Sequence, residues 1–113
     1  MAPLLTFYGD DFTGSTAVME VLSFAGVPTM VFMEAPAPNI LKEYPELQAI
    51  GVAGIARTKG PAWMKANLPG VFKKLKHLGA PVSHYKTCST FDSSPDTGSI
   101  GTATELGAAV FGS

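Results

Sequence analysis

An α/β fold is what this sequence predicts, built on an open, mostly parallel sheet with helices on both faces. Three observations predict it. Short apolar runs alternate with stretches whose apolar residues recur at helical spacing, in the order β-α-β-β-α-β-α. The third run is almost continuously apolar, as expected of a strand covered on both faces. The polar clusters fall just after strands, where open parallel sheets collect ligands. Together these describe a Rossmann-like architecture.

Residues 4–8 form a short apolar run ending at Gly9, of strand length and composition. Ala17, Val18, Val21, Leu22 and Ala25 then recur at helical spacing. A helix is expected over 14–25, with Ser15 or Thr13 as N-cap and Gly26 closing it. Residues 27–33 read as the second strand, with Pro28 at its start, where a missing donor is tolerated. A proline-containing loop follows, then a helical turn within 40–47. The third strand covers 48–55, and Arg57 stands just past it.

Pro61 suits the first position of the next helix. Pro69 lacks a donor and clashes with the preceding turn, so two helical pieces are expected, 61–67 and 69–78. The second has Val71, Phe72, Leu75 and Leu78 on one face and Lys73, Lys74 and Lys76 on the other. Residues 81–86 form the fourth strand, and a last helix spans 100–111.

Composition narrows the function classes. Hydrophobic residues make up 46% of the chain and charged residues 15%. That supports a core and argues against a disordered chain. A net charge of −1 with dispersed lysines gives no nucleic-acid footprint and no polybasic membrane patch. One cysteine cannot form an intrachain disulfide, and a reducing, cytoplasmic setting is the expectation. The N-terminus lacks the basic start of a signal peptide, and no apolar run is long enough for a bilayer. Low charge density and an apolar final segment suggest part of a longer protein whose remainder covers apolar surface.

Three clusters carry chemistry. Asp10 and Asp11 repel each other when both are ionised, unless a cation or a shared proton compensates. They suit a general base, a magnesium ligand or a hydroxyl acceptor; a helix N-terminus that favours negative charge explains them equally well. Arg57, the sole arginine, is placed to fork onto a carboxylate or phosphate, or to make an ordinary intramolecular pair. Lys86 precedes a loop rich in hydroxyls, including Ser89, Thr90, Ser93 and Ser99, with Asp92 among them. These can donate to an anion or serve as turn residues. Cys88 has no sequence-adjacent histidine, and His77 and His84 lack metal-ligand spacing. Adjacent rather than alternate aspartates argue against a haloacid-dehalogenase phosphatase. Arg57 stands where a response-regulator receiver needs an aspartate. Neither G-x-x-x-x-G-K-[ST] nor G-x-G-x-x-G occurs.

Gly9-Asp10-Asp11-Phe12-Thr13-Gly14-Ser15 resembles the A-D-D-[FL]-T-G-A signature of the four-carbon acid sugar kinase family. Lys86-Thr87-Cys88-Ser89-Thr90-Phe91-Asp92-Ser93, followed by Gly98-Ser99-Ile100-Gly101, resembles that family's second signature. Its Cys-Ser-Thr-Phe-Asp-Ser form is closer to the 3-oxo-tetronate and 3-oxo-isoapionate branch than to the commoner Asp-Ser-Thr-Leu-Arg. Gly9 and Ser15 depart from alanines in the first signature, and Ala56 from a threonine before Arg57.

The resemblance implies that residues 1–113 are an N-terminal acid-sugar-binding domain. ATP and magnesium would be held mainly by a C-terminal nucleotide domain outside this chain. The substrate would be threonate, erythronate or an oxo relative. Asp10 and Asp11 are then the candidate catalytic residues, and Arg57, Lys86, Ser89, Thr90 and Asp92 the candidate substrate-binding residues. The expected partners are the acid sugar and the nucleotide domain, with homo-oligomerisation left open and neither nucleic acid nor membrane expected. Two readings from other classes stay open: a non-catalytic module for small anions or a protein, and a magnesium-dependent hydrolase using Asp10 and Asp11.

Overall fold

The computed structural model describes residues 3–37, 39–87, 97 and 99–112. Four strands form one parallel sheet: β1 (Leu5–Gly9), β2 (Thr29–Phe32), β3 (Ala49–Ala53) and β4 (Val82–Lys86), in the order β2-β3-β1-β4. Leu5 pairs with Ala49 on one side and Val82 on the other, so β1 is flanked in register by β3 and β4. Every residue of β3 is buried, which matches its continuous apolar run. The helices are α1 (Phe12–Phe24), the single turn α2 (Ile40–Glu43), α3 (Pro61–His77) and α4 (Ile100–Phe111). The radius of gyration is 13.4 Å, against about 13 Å expected for a compact chain of this size.

The connection β1-α1-β2 passes over β3, and β3-α3-β4 passes over β1 in the opposite direction. Right-handed crossovers of this kind place α1 and α3 on opposite faces. Neighbouring residues of β1 confirm it, because successive side chains point to opposite faces. Tyr8 packs edge-on against Phe72 of α3, with ring centroids 5.9 Å apart. Gly9 faces Ser15 of α1. The principal core lies on the α3 side and joins Tyr8, Ile50, Val52, Met64, Leu68, Phe72, Leu75 and Leu78. Tyr85 stacks on Tyr8 at 5.5 Å, and Phe111 of α4 reaches Phe72 at 6.0 Å. One aromatic cluster therefore ties β1, β4, α3 and α4 together.

The structure corrects several expected boundaries. α1 begins two residues early, because Asp11, rather than Ser15 or Thr13, is its N-cap and accepts the Gly14 N–H. Ser15 is fully buried inside the helix and donates to the Asp11 carbonyl at 2.7 Å. Gly26, at φ +85°, terminates the helix. Its N–H reaches the Ser23 carbonyl, and that of Val27 reaches Leu22, the paired bonds of a Schellman ending.

The two pieces expected around Pro69 are one helix, Pro61–His77. The carbonyl that loses its partner belongs to Lys65, on the exposed side, where water can satisfy it. β2 is confined to Thr29–Phe32 and β3 to Ala49–Ala53, each shorter than its apolar run. Val21, expected on the inward face of α1, is 69% exposed, and Phe24 is 84% exposed. Among the described residues no helix is long and apolar enough to cross a membrane.

The contact between β1 and α1 generates a test. A Cβ on Gly9 would lie 1.9 Å from Ser15 Oγ. The two departures from the first signature therefore compensate for each other: no side chain at 9, an extra oxygen at 15. Gly9→Ala is expected to cost about 1–3 kcal/mol by overpacking. Ser15→Ala is expected to cost about 1 kcal/mol through its lost hydrogen bond. The double variant is expected to be more stable than Gly9→Ala alone. Urea denaturation of all four proteins measures the coupling; additive losses would contradict it.

Candidate functional site

β1 and β3 are adjacent, but the chain leaves them towards opposite faces of the sheet. Their carboxyl ends therefore flank the crevice where doubly wound sheets bind ligands. Asp10 and Asp11 follow β1. Arg57 lies in a 3₁₀ turn, Ala56–Thr58, just after β3. Lys86 ends β4 on the other side of β1.

Backbone bonds fasten these ends together. The Gly54 N–H donates to the Gly9 carbonyl at 2.9 Å, the Arg57 N–H to the Asp10 carbonyl at 3.0 Å, and the Asp10 N–H to the Lys86 carbonyl at 3.0 Å. The three charged clusters expected from sequence thus share one edge through main-chain contacts that do not depend on their charges.

The side chains divide the work. Asp11 Oδ1 accepts the Gly14 N–H at 2.8 Å, and Oδ2 lies 3.5 Å from Arg57 Nη1. Arg57 is 38% exposed and Asp11 18%, so the pair is loose and partly solvated. Such a pair is worth under about 1 kcal/mol, and an incoming anion can compete for the guanidinium. Lys86 lays its stem along the start of α1: its Cγ is 3.6 Å from where a Cβ on Gly14 would sit. Its ammonium donates to the Thr87 carbonyl.

Asp10 is 3% exposed and lies near both tyrosines. Burial is the main force raising the Tyr85 hydroxyl above its ordinary pKa, followed by the Asp10 charge and then Tyr8. Burial also raises Tyr8, backbone hydrogen bonds at Ala56 and Ile55 oppose the rise, and Asp10 adds to it. Neither tyrosine stood out in the sequence as part of the site. The available signal was their in-register placement, Tyr8 opposite Tyr85 and two residues before Asp10.

Ser89, Thr90 and Asp92, with Cys88 and Ser93, lie outside the described residues. Ser99 is the N-cap of α4, accepting the Thr102 N–H at 3.0 Å. His77 and His84 are both exposed. Asp11 caps a helix beside an arginine, while Asp10 is buried near the two tyrosines. Among the described residues no three His, Cys, Asp or Glu side chains gather as a metal-binding group.

The model of the sugar-binding N-terminal domain family matches residues 5–113. A 3-oxo-isoapionate kinase of Paraburkholderia graminis is 52% identical over 104 residues, covering 92% of this chain and 22% of the relative. A 3-oxo-tetronate kinase of Cupriavidus necator is 33% identical, covering 91% of this chain and 24% of the relative. Another, of Burkholderia multivorans, is 35% identical, covering 88% and 22%. The chain thus spans less than a quarter of the length of these relatives.

The tyrosine pair generates a second test. The Tyr85 hydroxyl is buried with no hydrogen-bond partner among the described residues. Tyr85→Phe is expected to leave stability at pH 7 unchanged or to raise it by up to about 1 kcal/mol. Folded Tyr8 and Tyr85 hold their protons more tightly than the unfolded chain does. Their contribution is therefore complete below the ordinary tyrosine pKa of 10.0 and is lost as pH rises past it. Tyr85→Phe should make that alkaline loss shallower. Denaturant titrations at neutral and alkaline pH measure both effects. A marked loss at pH 7, or an unchanged alkaline slope, would contradict the assignment.

Proposed function

The chain belongs to the sugar-binding N-terminal domain family, and on that premise we propose that it is the substrate-holding part of an ATP-dependent acid sugar kinase. The substrate is an oxo acid sugar, either branched or with a four-carbon chain. The greater identity to the 3-oxo-isoapionate kinase than to the 3-oxo-tetronate kinases favours the branched acid. ATP and magnesium are held mainly by a C-terminal nucleotide domain beyond this chain.

The observation that carries the reading is the loose Arg57–Asp11 pair at the crevice between β1 and β3, with Lys86 on the neighbouring strand. An oxo acid sugar presents one carboxylate, a ketone and hydroxyls. Arg57 can turn its planar fork onto the carboxylate, and Lys86 adds a second positive charge. Release of the guanidinium exposes Asp11 Oδ2 to a substrate hydroxyl, while Oδ1 continues to cap α1. Asp10 sits lower, buried near the two tyrosines; its burial suits it to orient neighbouring groups. Ser89, Thr90 and Asp92 complete the polar wall in this proposal.

Phosphoryl transfer through a loose transition state depends mainly on positioning and charge stabilisation. The work of this chain is therefore to hold the acid and aim one hydroxyl at the phosphoryl donor. ATP supplies that phosphoryl group, with magnesium offsetting its charge.

Isothermal titration of the chain with 3-oxo acid sugars tests the site. Arg57→Ala and Lys86→Ala are each expected to weaken binding at least ~10-fold, the loss of a charge-assisted bond. Arg57→Lys keeps the charge without the fork and should fall between Arg57→Ala and wild type. Wild-type affinity in both alanine variants would remove Arg57 and Lys86 from the site.

A further inference from the structure

Among the described residues β4 is an edge strand, with no strand paired to its outer side. The Lys86 carbonyl accepts the Asp10 N–H, so Val82, His84 and Lys86 turn their backbone groups towards β1. Alternation along a strand then turns those of Ser83 and Tyr85 outward. Beside this edge runs a groove of about 700 Å³ between β4, α3 and α4, lined by Phe72, Leu75, Val82, Tyr85, Ala103 and Phe111 among others. Val82 is 56% exposed. Within β4 there is no proline, Pro81 standing just before it, and no charged side chain before its last residue, so two common protections of an open edge are absent from the strand itself. β2, at the other edge, has four residues, likewise with a proline, Pro28, just before it and Pro36 beyond it.

We propose that this edge and groove seat a fifth parallel strand, supplied by the same polypeptide beyond α4. Topology selects this occupant. The crossover β3-α3-β4 moves outward across the sheet with α3 on one face. α4 follows β4 and packs on α3, on that same face. A crossover of the same hand from β4 through α4 delivers its next strand to the outer side of β4, where Ser83 and Tyr85 present their backbone groups. The chain spans only 22% of the Paraburkholderia graminis relative, which leaves ample polypeptide for such a strand. The new strand would flank Val82, which shares the α1 face with Lys86, and close the groove under α4 on the other face. The inference rests on chain topology and stands apart from the substrate reading.

Amide hydrogen exchange tests it. The Ser83 and Tyr85 amides are compared in the 113-residue chain and in a chimera where residues 5–113 replace the matching part of the Paraburkholderia graminis relative. Exchange at both is expected to slow at least ~100-fold in the chimera, as edge amides become interior ones. The Asp10 amide, already bonded to Lys86, should be protected in both. Equally fast exchange at Ser83 and Tyr85 in both proteins overturns the proposal. Protection that appears in the 113-residue chain and rises with its concentration also overturns it, since a second copy would then be the occupant. Should the chimera fail to fold, the unmodified relative is read at the two aligned amides, with fast exchange again overturning the proposal.

Discussion

One carboxylate, Asp11, links the two elements that leave the carboxyl edge of this sheet, α1 and the turn after β3. Its Oδ1 starts α1 by accepting the Gly14 N–H, and its Oδ2 faces the guanidinium that follows β3. The cap is the stronger of the two roles, at about 1 kcal/mol; the partly solvated pair contributes less. That order of strengths suits a binding site. In the proposed site the helix start would stay fixed when an anion draws Arg57 away, so the internal ion pair could be exchanged for a substrate without loss of the frame. The frame is mostly main chain: Gly54 to Gly9, Arg57 to Asp10 and Asp10 to Lys86.

The sequence revealed the order of elements because burial dictates the apolar pattern. Residues 48–55 could be little else than a covered strand, and all five residues of β3 are buried. Local chemistry was harder to read. Ser15 looks like an N-cap by residue type, yet it is packed under Gly9 and bonds back to the Asp11 carbonyl. Pro69 looks like a helix break, but its cost falls on an exposed carbonyl and the packing of Met64, Leu68, Phe72 and Leu75 carries the helix through. Tertiary burial outweighed local propensity there. The meeting of Asp10, Asp11, Arg57 and Lys86 followed from strand order. The tyrosine floor under Asp10 did not, because it depends on the register between β1 and β4.

Low charge has a visible counterpart in the exposed Val21, Phe24, Met33 and Val82 and in the groove beside β4. Among the described residues, an open sheet edge and exposed apolar side chains on α1 suit a chain with further apolar surface to cover. Membership of a family named for an N-terminal domain, and coverage of less than a quarter of each relative, agree with that. The proposed partners thus lie in different places: a small acid above the strand ends, and a further strand beside them.

The central claim is that Arg57 leaves Asp11 to bind the carboxylate of an acid sugar. A crystal structure of the chain with a 3-oxo acid sugar tests it most directly. The account predicts the substrate carboxylate within about 3 Å of the Arg57 guanidinium, with Lys86 alongside and Asp11 still capping α1. An acid sugar bound elsewhere, with the Arg57–Asp11 pair intact, would contradict it.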